Sequence, residues 1–237
     1  MSATTKVTLS KDKITINKCL KNDFKIMVRE ALDAMGHVLE QRKKDLETWT
    51  PEKQEEFYKI FGSRGERIIP VEISTRGVSQ IQNMTAREIM LDGIKRLGWI
   101  REQLQIDDCV NMIDSPKIFC AKVSSGQESD YKVYIGINFT GRLKVNGFRS
   151  CMSVMGEDSR TSTLFHEMSH FVKKFAAPSE GGMGTSDYDE NCLKIQEGQD
   201  DSSYEQHKNG AEKMVRNGDP LVFDNAYNIE HYFQINV

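Results

Sequence analysis

His166, Glu167 and His170 form an H-E-x-x-H motif in the second half of the chain. On a helix, residues four apart stand on one face, so the two histidines can reach the same metal ion. The glutamate beside the first histidine can take a proton from the water that such an ion activates. Apolar residues around the motif follow the helical period, which predicts a helix from Thr161 that ends before Pro178. The motif therefore predicts a zinc site on a helix.

A third metal ligand must lie downstream, because a catalytic zinc usually takes three protein ligands and leaves one position for water. The metzincin continuation H-E-x-x-H-x-x-G-x-x-H is absent, since Lys173 and Ala176 occupy its glycine and histidine positions. Residue type and distance alone leave four acidic candidates open. They are Asp187, Glu190, Glu197 and Glu205.

Composition bounds the kind of protein that carries this motif. With 237 residues, 38% of them hydrophobic, the chain can bury a hydrophobic core without the help of disulfides or structural metal ions. A net charge of −3 predicts no nucleic-acid partner, and no apolar run is long enough to predict a membrane span. The five cysteines form no C-x-x-C pair, which favours free thiols in a reducing compartment over a disulfide framework.

The patterns in the first half of the chain predict helices and strands of the core and no catalytic residues. Alternating apolar residues at 5–20 predict one or two strands, and a helical stripe predicts a helix over 22–48. A further helix is predicted over 51–62, with Pro51 at its first position, where proline is favoured. A short strand is predicted at 68–73, and a capping box begins a helix over 85–104.

The second half predicts strands followed by helices. Lys117–Val123 and Tyr131–Phe139 are strand-like, with a further strand at 147–155 and a terminal helix over Asn225–Phe233. The predicted class is α+β, mainly helical with a small mixed or antiparallel sheet. We expect one domain over residues 1–237, in which a strand and helix extension at 1–49 packs on the catalytic part.

Two further motifs make the chain resemble the aspzincin metallopeptidases, the group of deuterolysin and peptidyl-Lys metalloendopeptidase. That family continues H-E-x-x-H with G-T-x-D, here Gly184-Thr185-Ser186-Asp187. It also carries a later N-A-x-x-x-E-x-F-type helix, here Asn225-Ala226 followed by Glu230. The resemblance covers about residues 50–237.

The resemblance implies a zincin-like fold and a zinc-dependent endopeptidase, with Glu167 as the general base. The implied zinc ligands are His166, His170 and Asp187. In zincins an edge strand above the active-site helix pairs with the extended substrate, and Tyr131–Phe139 is the candidate here.

The same resemblance implies substrate contacts on the terminal helix. In Lys-specific members an Asp and a Glu of this helix receive the substrate lysine, and this chain has Tyr227 and Glu230 at those positions. Both residues are therefore predicted to bind substrate, with a preference for a basic residue after the scissile bond.

The chain departs from the family at the tyrosine that helps to stabilise the transition state. The pattern G-T-x-D-x-x-Y-G places Glu190 and Asn191 where that tyrosine and its glycine would be. Tyr188 is our candidate for the role, with Tyr204 as the alternative. Two other interpretations stay open: a gluzincin-like hydrolase that uses Glu190 or Glu197, and a non-catalytic zinc-binding interaction module.

The cellular location and the partners are predicted from the N-terminal segment and from the resemblance. The N-terminal segment lacks the apolar region of a Sec signal peptide, so we expect a cytoplasmic protein in the producing cell. Aspzincin-like domains occur among bacterial effectors that specialised secretion systems export. The resemblance thus implies an effector or toxin with a peptide or protein substrate. It also implies a small immunity protein or a secretion carrier as partner.

Overall fold

Helices and three small sheets make up the described part of the chain. The computed structural model describes residues 10–75, 78–123, 131–141, 150–174, 179–196 and 203–237. The helices are α1 (Ser10–Thr48), α2 (Pro51–Phe61), α3 (Ala86–Gln103), α4 (Arg160–Ser169), α5 (Tyr204–Asn217) and α6 (Ala226–Tyr232). The strands are β1 (Ile68–Thr75), β2 (Val78–Thr85), β3 (Cys109–Asn111), β4 (Ala121–Val123), β5 (Val133–Ile135), β6 (Lys173–Lys174) and β7 (Glu180–Gly181). Short 3₁₀ helices lie at Ile106–Asp108, Ile137–Thr140 and Pro220–Phe223. This arrangement confirms the predicted α+β class.

The N-terminal segment is helical where strands were predicted. α1 is a single helix of 39 residues that begins at Ser10, so the strand prediction is wrong for residues 10–20. Residues 1–9 lie outside the described residues. No proline interrupts the sequence of α1, and a long apolar stripe over its second half supports one continuous helix. α1 packs against α3 and α4.

Local capping signals correctly predicted the helices that follow. Pro51 begins α2, and Gly62, at φ +58°, ends it in the left-handed conformation that glycine adopts without strain. Thr85 and Glu88 form the predicted capping box of α3, each side chain accepting the other residue's backbone N–H. The short strand predicted at 68–73 is confirmed as β1, and β2, for which no strand was predicted, pairs with it along its whole length.

The strand predicted to lie at the sheet edge lies in the centre. β5 lies between β3 and β4, parallel to the first and antiparallel to the second. Tyr131–Phe139 is therefore wrong as the edge strand, and its last residues belong to a 3₁₀ helix. The prediction failed because strand order depends on pairing between distant segments. The edge strand that packs against α4 is β4.

Two other predicted elements differ from the structure. Residues 150–155 form no strand, and 142–149 lie outside the described residues. α4 ends at Ser169, well before Pro178, because the chain turns there into β6. The amides of Gly182 and Gly184 donate back to Val172 O and Phe171 O at 2.9 Å each, which holds that turn closed.

α4 lies at the centre of the core. All its residues from Thr161 to Ser169 are buried, and it contacts α1, α3, α6 and β4. Phe165 on α4 stacks on Phe233, just past the end of α6, with ring centroids 4.1 Å apart. α6 begins at the predicted place, where the Asn225 side chain accepts the N–H of Tyr227 at 3.2 Å. No helix within the described ranges is long and apolar enough to cross a membrane.

A buried arginine ties α1 to α2 and α6. Arg42 is 1% exposed and pairs with Asp45 Oδ2 at 3.1 Å and Glu56 Oε1 at 2.7 Å. Its Nε donates to Tyr232 O at the end of α6, and its guanidinium lies 4.3 Å from the centre of the Tyr232 ring. The packing of α6 therefore depends on one cation of the N-terminal helix.

We expect Arg42→Ala to lower the free energy of unfolding by about 3–5 kcal/mol, because it removes a buried partner of Asp45 and the donor to Tyr232 O. Equilibrium urea unfolding measures this change. Lys43→Ala is the matched control, since Lys43 pairs with Glu47 at 3.8 Å on the surface and such pairs contribute about 0–1 kcal/mol. Equal losses for the two variants would show that Arg42 has no special role.

Candidate metal centre

The start of α4 is fixed by its cap, and this fixes where the two histidines lie. Ser159 and Ser162 exchange side-chain and backbone hydrogen bonds at 3.1 Å in a capping box. His170 is the C-terminal cap residue and keeps a helical conformation, so the i, i+4 relation to His166 holds. The two imidazole rings lie 5.0 Å apart, nearly perpendicular at 82°.

A loop of four residues brings an aspartate to the histidines; we call it the ligand loop (184–187). Gly184, at φ +69°, allows the chain to turn back towards α4. The Thr185 amide donates to Ser169 O at 3.1 Å, and the hydroxyl oxygens of these residues lie 2.6 Å apart. The ligand loop is thus joined to the C-terminal end of α4.

The three side chains converge with the spacing of a metal site. His166 Nε2 lies 3.2 Å from Asp187 Oδ1, and His170 Nε2 lies 3.5 Å from Asp187 Oδ2. Zinc bonds of roughly 2.0–2.2 Å in tetrahedral geometry separate ligand atoms by about 3.3 Å, close to both distances. Asp187 Oδ1 is buried and accepts no hydrogen bond of ordinary geometry from the described residues. A bound cation would satisfy this oxygen, so the residues fit a metal.

Each histidine is oriented through its second ring nitrogen. His166 Nδ1 lies 3.2 Å from Glu230 Oε2 in an ion-pair contact, and His170 Nδ1 donates to Thr185 O at 3.1 Å. Glu230 is 2% exposed, and its Oε1 accepts from Ser162 Oγ at 3.2 Å. These contacts leave Nε2 of both histidines directed at Asp187, as in metal sites whose histidines are held by carboxylates or carbonyls.

The charges in the site are strongly coupled. Burial alone would raise the pKa of Asp187, but His166 and His170 hold it well below its ordinary value. Burial opposes the charged form of His166, yet the Asp187 carboxylate raises the pKa of this imidazole well above its ordinary value. Burial raises the pKa of Glu167, and the two histidines partly offset that rise. Carboxylates thus dominate the field at the point where the ligand atoms meet.

The acidic residues considered as the third metal ligand lie at different distances from the two histidines or outside the described residues. Within the described residues, one group of three side chains could hold a metal, and it consists of His166, His170 and Asp187. Glu190 and Glu205 are exposed and are not part of this group. Glu197 lies outside the described residues. Glu167 is buried on α4 between the two histidines of the motif.

The predicted substrate and transition-state residues have partners of their own. The Tyr188 hydroxyl donates to Asp224 Oδ2 at 2.6 Å. The Tyr227 ring stands perpendicular to His166 at 5.0 Å and lies parallel to His207 at 5.1 Å. The catalytic role of Tyr188 and the substrate role of Tyr227 stay predictions.

Sequence reasoning missed two residues that border the site. His207 on α5 is 5% exposed, and its Nδ1 donates to Tyr188 O at 3.0 Å. It shares a buried helical stripe with Ala211 and Met214, a spacing that could have marked it as inward-facing. Asp224 precedes the Asn225-Ala226 pair, and the sequence carries no local signal for its contacts.

Comparisons of this chain with protein-family models, with curated proteins and with solved structures give no match. The function proposed below therefore depends on the geometry of the site.

We expect Glu230→Ala to weaken zinc binding by roughly 10- to 100-fold, because it removes the carboxylate that lies 3.2 Å from His166 Nδ1 and helps to orient the ring. Competition with a chromogenic chelator measures the dissociation constant. Glu212→Ala on α5 is the control, since Glu212 is exposed and pairs only loosely with Arg216 at 3.7 Å. Unchanged affinity in Glu230→Ala would contradict the role given to this carboxylate.

Proposed function

We propose that the protein is a zinc-dependent endopeptidase with a zincin-like arrangement of its active-site helix. The observation that supports this most is the convergence of His166, His170 and Asp187 beside Glu167. Two nitrogens and one carboxylate oxygen are ligands that suit zinc. Three protein ligands leave a fourth position for water, as catalytic zinc sites do and closed structural sites do not.

The chemistry follows from the ligand set and from the glutamate. A zinc ion held there supplies a Lewis acid that activates water and polarises the scissile carbonyl. Glu167 takes a proton from the attacking water and passes it to the leaving amine. Burial excludes bulk water from the Glu167 carboxylate, which favours an exchange of protons with the reactants.

The substrate binds as an extended peptide along β4. β4 packs against α4, and its outer edge pairs with no strand within the described residues. An open strand edge binds an extended chain through backbone hydrogen bonds, which do not depend on side-chain identity. This arrangement supports a peptide or protein substrate.

A cavity of about 270 Å³ lies between α5 and α6. Tyr227 and Glu230 line it, and both also contact His166. Lys208 and Glu212 are also in the lining, so its charges are mixed. We propose that this cavity receives a side chain of the substrate.

The preference for a basic residue after the scissile bond is tested by mapping cleavage sites in a denatured protein. If Glu230 recognises a basic side chain, the residue after the cut is lysine or arginine in most sites. Because Glu230 also binds His166, Tyr227→Phe is the better probe of specificity, with the metal affinity measured in parallel. Cleavage with no enrichment of basic residues would refute the preference while leaving the peptidase activity established.

The cellular role is proposed on the resemblance alone. An exported effector or toxin would need an immunity or inhibitor protein in the producing cell, or a carrier for its secretion. A partner that blocks the site would reach α4 and the ligand loop from the side of β4.

We expect Glu167→Gln to bind zinc normally and to lose about 100- to 10,000-fold in kcat/KM, because the general base is removed while the ligands remain. Hydrolysis of an unfolded protein such as casein measures the loss, and zinc content measures the binding. Chelation should abolish the wild-type activity, and added zinc should restore it.

Three further variants accompany that experiment. Glu190→Gln, at an exposed position, should keep full activity. Asp187→Ala should lose zinc, whereas Glu190→Ala should retain it, which separates the two candidate third ligands. A zinc-loaded Glu167→Gln protein that cleaves at the normal rate would overturn the mechanism. A wild-type protein that binds zinc and cleaves no peptide bond would favour the interaction module.

A further inference from the structure

Asp224 contacts both neighbours of the third ligand. Its backbone oxygen accepts the N–H of Ser186 at 2.8 Å, and its Oδ2 accepts the hydroxyl of Tyr188 at 2.6 Å. Ser186 and Tyr188 are the residues directly before and after Asp187. One residue, in a distant part of the chain, therefore holds the backbone on both sides of the ligand.

These contacts affect the direction in which the Asp187 side chain points. Ser186 forms a parallel bridge with Asn225, so the chain is extended as it passes Asp187. In an extended segment, successive side chains point to opposite sides. Tyr188 faces Asp224, and Asp187 faces the two histidines. A hydrogen bond that fixes Tyr188 therefore limits rotation of the backbone that carries the Asp187 carboxylate.

The phenol of Tyr188 is committed to this contact. A tyrosine hydroxyl has one proton to donate, and Tyr188 donates it to Asp224 over a short distance. Tyr188 is 5% exposed, which leaves little of it accessible to a substrate.

We infer that Asp224 and Tyr188 form a positioning clamp that holds the Asp187 carboxylate in its metal-binding orientation. The clamp acts on the ligand and makes no contact with the reactants. This inference rests on the proposed function in one respect, namely that Asp187 binds a metal ion. Residues that orient a metal ligand typically change metal affinity by about 10- to 100-fold when they are removed.

The first test compares zinc affinity in Tyr188→Phe, Asp224→Ala and the double variant, by competition with a chromogenic chelator. We expect Tyr188→Phe to weaken binding by about tenfold. The double variant should bind zinc no more weakly than Asp224→Ala, since both substitutions break the same contact. Independent, additive losses would overturn the clamp, as would wild-type affinity in Tyr188→Phe.

Tyr58→Phe is the control for loss of a phenol. Tyr58 is 47% exposed on α2, where its ring packs beside the Arg64 guanidinium and not against the ligand loop. Zinc affinity should be unchanged in this variant, and an equal loss would refute a role specific to Tyr188. Asp224→Asn keeps an oxygen that can accept the phenol, so it should lose less affinity than Asp224→Ala.

A second readout needs no metal and no activity. In metal-free protein, hydrogen exchange of the Ser186 amide should be faster in Tyr188→Phe than in the wild type, because Asp224 no longer holds both sides of the loop. Unchanged exchange would overturn the clamp even if the enzyme is active. An inactive wild-type protein that still shows both effects would refute the proposed peptidase and leave the clamp in place.

Discussion

The metal centre depends on the hydrogen-bonded join between the C-terminal end of α4 and the ligand loop. Thr185 makes this join with three of its groups: its amide donates to Ser169 O, its hydroxyl contacts the Ser169 hydroxyl, and its carbonyl accepts from His170 Nδ1. The same residue therefore holds the loop against the helix and orients one of the two histidines. A shift of the loop would move Asp187 and rotate His170 together, so the ligands cannot be displaced one at a time.

The charges of the site are compatible with a bound cation. Glu167 and Glu230 are buried and Asp187 is partly buried, and the imidazoles of His166 and His170 lie beside them. Buried carboxylates are costly unless they are paired or bind a metal. The Asp187 carboxylate raises the pKa of His166, which favours a compensating proton on this imidazole. A divalent ion would supply positive charge in place of that proton, with Nε2 of His166 and His170 as ligand atoms.

Helices whose first residues carry a local sequence signal were predicted correctly. Elements whose position depends on contacts between distant segments could not be predicted from the sequence. Pro51, Thr85 and Asn225 begin α2, α3 and α6 because each satisfies the first amides or fixes the first φ of its helix. The central position of β5 depends on pairing with two segments far away in the sequence. The contacts of Asp224 likewise exist only once the ligand loop has folded against α6. The cluster of His166, His170 and Asp187 was predictable because its motifs are short and local.

Glu230 links specificity to metal binding in a way that the sequence did not suggest. The resemblance predicts a substrate contact at this position, yet the carboxylate is buried between His166 and Ser162. If the proposed function holds, a substitution of Glu230 would also remove the carboxylate beside His166, so a change of substrate preference at this position would affect metal affinity. Tyr227 is one turn earlier on α6, lines the same cavity and packs its ring against His166. A tyrosine where Lys-specific members carry an aspartate is therefore the substitution through which this chain could acquire a different substrate preference.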